Sequence, residues 1–200
     1  MDEPGRLKKK ETRDAIRTFI CIEIPGPIKD RIGVLQGALK GPDTRVSWVK
    51  PDNIHLTLKF LGDVPASRTD AVYQSVDRAA QSVRTFKIEL GGAGCFPSVR
   101  SPRILWVGLK KLPDELLRLH GNIEDELARE GFPRDQKRFA PHLTIGRIRS
   151  SRGASEAADR LILKGFEAED FTASEVIVMR SDLNPRGSIY TRLAMTRLVE

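Results

Sequence analysis

Two short stretches constrain this chain more than anything else in it: Ile54-His55-Leu56-Thr57-Leu58-Lys59-Phe60 and Pro141-His142-Leu143-Thr144-Ile145-Gly146-Arg147. Each holds a His, one intervening residue and a Thr inside an apolar run of the kind that forms a β-strand. Successive strand side chains alternate between faces. His55 and Thr57 are therefore expected on one face, as are His142 and Thr144. Leu56, Leu58, Leu143 and Ile145 then face a core. The chain has three His, and two of them stand in this arrangement, displayed once in each half.

The chain around these strands has the length for one sizeable domain or two small lobes, at 200 residues. No apolar run is long enough to span a bilayer. The charged start, Met1-Asp2-Glu3-Pro4-Gly5-Arg6-Leu7-Lys8-Lys9-Lys10, has no apolar stretch behind it to serve as a signal peptide. A cytoplasmic protein without a membrane partner is expected. Residues 1–14 read as a flexible basic tail, and 15–200 as a single bilobal domain. Cys21 and Cys95 are too few for a disulfide scaffold and are expected as reduced thiols. The formal net charge of +7 favours phosphate-bearing partners.

Local patterns fill in the rest. Thr18–Ile24 is β-branched and aromatic, hence a strand. Ile28, Ile32, Leu35 and Leu39 recur at helical spacing, so a helix is expected over 27–40, stopped by Gly41-Pro42. Further helices are expected over 67–83, from Pro113 to Gly131, and over 153–164. Strands are expected at 45–49, 86–90, 103–109, 166–171, 174–180 and 188–198, with Asn184-Pro185-Arg186-Gly187 as the turn before the last. Gly91-Gly92-Ala93-Gly94 lacks the Lys-Ser/Thr ending of a phosphate loop and reads as a bend. His120 falls beside the apolar stripe of the Pro113–Gly131 helix with no Thr two residues on, and is expected to be a surface residue of that helix. Interleaved strands and helices of this kind point to an α+β fold with antiparallel sheets.

Imidazole titrates near ~6.5 and can give or take a proton at neutral pH. Two of them on opposite sides of a substrate can serve as base and acid in one turnover, which suits in-line displacement at phosphorus. Thr hydroxyls on the same faces can donate to the non-bridging oxygens. A strained 2′,3′-cyclic phosphate would need nothing more. Two His with no companion Cys, and no acid at ligand spacing, fall short of the three protein ligands of a catalytic zinc. No metal and no cofactor are expected.

These motifs resemble the signature of the two-histidine phosphoesterases, and more closely the RNA 2′,3′-cyclic phosphodiesterase (2′-5′ RNA ligase-like) branch. The resemblance runs over roughly residues 16–198. It rests on Arg17-Thr18-Phe19-Ile20, the block Trp48 to Gly62, Gly94-Cys95-Phe96-Pro97, Pro141 to Arg147, and Ser181 to Tyr190. It implies two pseudo-symmetric lobes whose antiparallel sheets face a central groove, with helices on the outer faces. It also implies hydrolysis of RNA or oligonucleotide ends bearing a 2′,3′-cyclic phosphate to a 2′-phosphate, by a chain expected to act as a monomer. His55 would donate a proton to the leaving 3′ oxygen and His142 would activate water. Thr57 and Thr144 would hold the phosphate. Arg147 matches a family Arg that binds phosphate or the terminal nucleotide. Strict alternation puts it on the wrong face, so a bend at Gly146 is required. Lys59 shares the His face of its strand under the same alternation, and with the loop cations Arg134, Lys137 and Arg138 it is expected to make the groove basic. The alternative is a 2′-5′ RNA ligase or an RNA-end binding module using the same groove.

Overall fold

A computed structural model describes residues 14–41, 45–150, 153–167, 169–185 and 187–200. Of the expected basic tail, all but Asp14 lies outside the described residues, as does Arg186 of the expected turn. Strands β1 (Ala15–Glu23), β2 (Val46–Trp48), β3 (His55–Pro65), β4 (Phe86–Ser98), β5 (Ser101–Leu109), β6 (Leu143–Ile148), β7 (Glu169–Ala173), β8 (Glu175–Asn184) and β9 (Gly187–Arg197) form one antiparallel sheet. Its order is β7-β4-β5-β6-β3-β1-β8-β9, with β2 added on β6. Helices α1 (Gly26–Leu39), α2 (Thr69–Ala80), α3 (Asp114–Arg129) and α4 (Ala154–Lys164) interleave with the strands.

The two expected sheets are thus two halves of one path. β7-β4-β5-β6 and β3-β1-β8-β9 meet at a single cross-strand pair, Leu56 opposite Leu143. These two leucines are the central residues of the two His-x-Thr motifs, and both are fully buried. The halves repeat one plan. β1, α1, β3, α2 and β4 correspond to β5, α3, β6, α4 and β8, each motif strand lying beside the strand that opens its own repeat.

The first helix of each repeat crosses to the other half. α1 leaves β1 and reaches β6, where Gln36 bonds the backbone. α3 leaves β5 and packs on β3 and α2. α2 also covers β8 and β9, and α4 covers β4 and β5. The apolar stripes explain these placements: Ile28, Ile32 and Leu39 of α1, and Leu116, Leu119, Ile123 and Leu127 of α3, are buried in one continuous core with Leu56, Leu58, Leu143 and Ile145. Pro27 inside the first turn of α1, and Asp114 with Glu115 at the start of α3, favour helix initiation there.

Gly91 to Gly94 does not end its strand. β4 runs through it to Ser98, with a register shift between Leu90 and Ala93 and a positive φ of 70° at Gly92. Among the described residues, no helix is long and apolar enough to cross a membrane. Both cysteines are buried free thiols.

Candidate active site

Antiparallel pairing at Leu56 and Leu143 sets His55 across from Thr144 and Thr57 across from His142, all four on the face opposite the buried leucines. By that register the two imidazoles are diagonal to each other across the Leu56–Leu143 pair. His55, Thr57, Thr144 and Arg147 line a groove of about 700 Å³ with Arg17, Phe60 and Tyr190. His142 stands two residues before Thr144 and is not among the residues that line this groove.

Each imidazole is tied in the same way. His55 Nδ1 is 2.8 Å from the Asn53 carbonyl oxygen, and His142 Nδ1 is 2.7 Å from that of Ala140. A carbonyl only accepts, so Nδ1 carries the proton in both rings and Nε2 is left for chemistry. The rings are also backed by aromatics. His55 stacks on Phe19 at 4.6 Å and meets the edge of Tyr190 at 5.3 Å. His142 lies edge-to-face with Phe96 at 5.0 Å, beside Trp106. Sequence reasoning gave none of these four aromatics a role, although three of them sit in stretches that carry the family resemblance. Phe19 belongs to an apolar cluster with Cys21, Ile177 and Met179 on the groove side of its half. The Asn53 side chain reaches the Ser188 carbonyl of the β8–β9 hairpin at 2.7 Å, so the residue that orients His55 is itself held.

Burial lowers the His55 pKa to about 4. The Asn53 carbonyl and Glu23 oppose that shift, while the positive charges of Lys29 and Arg147 add to it. In the free protein His55 is neutral at pH 7.

Just past each motif the strand bulges. Cys21 faces Thr57 and Ile20 faces Lys59, leaving Leu58 as the extra residue. Trp106 faces Thr144 and Leu105 faces Gly146, leaving Ile145 extra. A bulge reverses the alternation beyond it. Arg147 is thereby turned into the groove by a bulge at Ile145, one residue before the expected bend at Gly146, and Phe60 takes the corresponding place on β3.

The same reversal overturns the expectation for Lys59. Its side chain is 2% exposed and points away from the groove. Its Nζ lies 2.6 Å from Glu124 Oε1 and 3.7 Å from Asp135, and donates to the Pro133 carbonyl at 3.0 Å. Arg134 is engaged by Asp125 at 2.6 Å, and neither Lys137 nor Arg138 lines the groove. The groove's cations are Arg17, Lys50, Arg147 and Arg149. Among the described residues, none of these four has a carboxylate within ion-pair reach. Arg17 lies over the Phe60 ring at 4.6 Å.

His120 is on α3 as expected, half-buried and stacked on Phe139 at 3.9 Å. With Glu124 and Asp135 it forms a group of metal-ligating types. The Lys59 ammonium already sits as the cation on that group's carboxylates.

The sequence profile of the 2′-5′ RNA ligase superfamily matches residues 25–185. An RNA 2′,3′-cyclic phosphodiesterase of Methanothermobacter thermautotrophicus is 33% identical over 184 residues, covering 92% of this chain and 99% of that protein. One from Archaeoglobus fulgidus is 34% identical over 181 residues, covering 89% and 98%. Among solved structures, E. coli LigT complexed with 3′-AMP superposes with a TM-score of 0.75 at 25% identity, covering 93% of this chain and 99% of that one. With a family profile matched over most of its length and relatives this similar, the chain belongs to the 2′-5′ RNA ligase superfamily.

Proposed function

We propose that this chain is an RNA 2′,3′-cyclic 3′-phosphodiesterase, a phosphoric diester hydrolase that opens terminal 2′,3′-cyclic phosphates to 2′-phosphates. The observation that carries the reading is the antiparallel exchange at Leu56 and Leu143. It brings the two His-Thr pairs side by side at a groove that His55, Thr57 and Thr144 line, and each imidazole has its Nδ1 held by a carbonyl. Relatives covered almost end to end by this chain bear the same activity in their names.

In the proposed step, water attacks phosphorus in line with the bond to O3′. His142 Nε2 takes the water's proton as the P–O bond forms. His55, protonated at Nε2, gives its proton to O3′ as the P–O3′ bond breaks. Thr57, Thr144 and Arg147 hold the non-bridging oxygens. His55 needs a positive charge for this role, and a bound phosphate anion supplies the neighbour that raises its pKa from the low value of the free protein. Reversal of the same step with an RNA 5′-hydroxyl is ligation, and excess water drives the groove toward hydrolysis. The cytoplasmic reading is supported by the two cysteines, both buried as free thiols.

The test uses short RNAs ending in a 2′,3′-cyclic phosphate, with EDTA present. Turnover to the 2′-phosphate is expected to persist under chelation. His55→Ala and His142→Ala should each lose about 10²–10⁴-fold in turnover. An aryl phosphodiester whose leaving group departs without a proton separates the roles: it should rescue His55→Ala and leave His142→Ala impaired. Release of a 3′-phosphate, or loss of activity on chelation, would sink the reading.

A further inference from the structure

Two polar side chains interrupt the buried stripes of the crossover helices, at the eleventh residue of each. Gln36 of α1 is 4% exposed and Glu124 of α3 is 6% exposed. Gln36 follows Ile28 and Ile32 at intervals of four, a position an apolar residue would normally fill.

Both make connections of the same kind. Gln36 Nε2 donates to the Val49 carbonyl at 2.7 Å and to the Ile145 carbonyl at 2.8 Å. Val49 opens the segment that leads into His55. Ile145 is the bulged residue just after Thr144, and its carbonyl also accepts from the Val49 N–H at 3.0 Å. Glu124 Oε1 holds Lys59, the residue after the bulge that follows Thr57. Its Oε2 accepts from the Asp135 N–H at 3.1 Å, and Lys59 adds the Pro133 carbonyl. Pro133 and Asp135 lie in the loop that leads into His142. Each helix therefore links the approach to one His with the bulge beyond the Thr of the other motif.

This cross-bracing matters because the two motif strands share only one paired position. One pair cannot fix the angle between strands that diverge on either side of it. We propose that Gln36 and the Lys59–Glu124 pair are positioning residues that set the separation and mutual orientation of the two His-Thr pairs. They act through backbone carbonyls and strand register and touch no substrate. The inference rests on the cyclic phosphodiesterase reading for its kinetic consequence, and on geometry alone for the placement of the histidines.

The variants are Gln36→Met, which keeps shape and loses both donors; Gln36→Glu, which is isosteric and donates only when protonated; and the double variant Lys59→Met/Glu124→Met. The double change removes both charges together, so no buried ion is left alone. In each, kcat on a cyclic-phosphate RNA should fall by about 10²-fold, the cost of a misplacement on the order of 1 Å. KM should change less than about threefold, because the groove cations and Thr hydroxyls remain. The Gln36→Glu deficit, taken as a ratio to wild type at each pH, should shrink as pH falls and the carboxyl regains a donor. A side chain that only fills space would show no such recovery.

A second measurement is independent of turnover. The chain has three His, so their C2–H resonances can be followed singly while inorganic phosphate is titrated. In wild type His55 and His142 should respond together with one Kd. In the variants the two responses should separate while His120 stays unmoved. Wild-type kcat in Gln36→Met and the double variant, a pH-independent Gln36→Glu ratio, or a joint response of His55 and His142 in a folded variant would each overturn the proposal. If one variant fails to fold, the others carry the test. If wild type leaves cyclic ends intact, the hydrolase reading fails by itself and the phosphate titration still decides the positioning.

Discussion

His55 shows how a single side chain is set by what surrounds it. Phe19 on its face and Tyr190 at its edge remove water, and that loss of solvation outweighs the carbonyl and the Glu23 carboxylate that favour the charged ring. Its C2–H resonance should titrate with a midpoint near 4 in the free protein. A midpoint above 6 would mean a solvated ring. The same shift makes stability depend on pH. Between about pH 6.5 and 4 the unfolded chain binds a proton at this position and the folded chain does not. Stability is therefore retained above the unfolded value and declines as pH falls toward 4, by on the order of 2–4 kcal/mol. His55→Gln should flatten the dependence of Tm on pH across that interval, compared with wild type. A variant with the wild-type slope would assign the dependence to other groups.

At the scale of elements, the bulges at Leu58 and Ile145 decide which side chains reach the groove. The motifs themselves were legible because alternation holds from His to Thr, and the burial of Leu56, Leu58, Leu143 and Ile145 follows it. Beyond the Thr it fails, and strict alternation places Lys59 in the groove when it is in the core. A bulge leaves no mark in composition, since it is fixed by which residues of the neighbouring strand face it. Gly146 is the one local signal. A Cβ there would come within 2.7 Å of Val46 Cγ1 and 3.0 Å of the Trp48 ring, so β2 can lie against β6 only with glycine at this place. Gly146→Ala should cost about 1–3 kcal/mol through overpacking. It should also weaken phosphate binding by shifting Arg147. Denaturant unfolding with a phosphate titration checks both, and unchanged stability would show that β2 moves aside freely.

The repeat was visible in sequence as one His-Thr strand in each half, and the crossing of α1 and α3 was not. Packing can be met by many apolar sequences, so the two halves share a plan with little shared wording. The polar breaks in their stripes, Gln36 and Glu124, were the trace that could have been read. Charge is likewise arranged at the scale of the whole molecule. The net +7 says nothing of where cations gather, and Lys59 and Arg134 are consumed by Glu124 and Asp125. The groove itself is lined by Arg17, Lys50, Arg147 and Arg149. Each single-strand phosphate neutralised there contributes roughly −0.7 to the slope of log K against log salt. Four such contacts would give about −3, and a terminal cyclic phosphate with a short tail engages fewer, so a slope of about −1 to −3 is expected. Arg147→Ala/Arg149→Ala should flatten it by about 1.4, two contacts' worth. Exchanging cations already paired with acids, as in Arg134→Ala, should leave the slope unchanged. Affinity should depend on the end group more than on base identity, because the paired His and Thr address phosphate. Titrating RNAs of several sequences, with and without the cyclic end, across a salt series measures all three effects at once. A slope unmoved by the double variant but flattened by Arg134→Ala would place the RNA path along the α3–β6 loop and away from this groove.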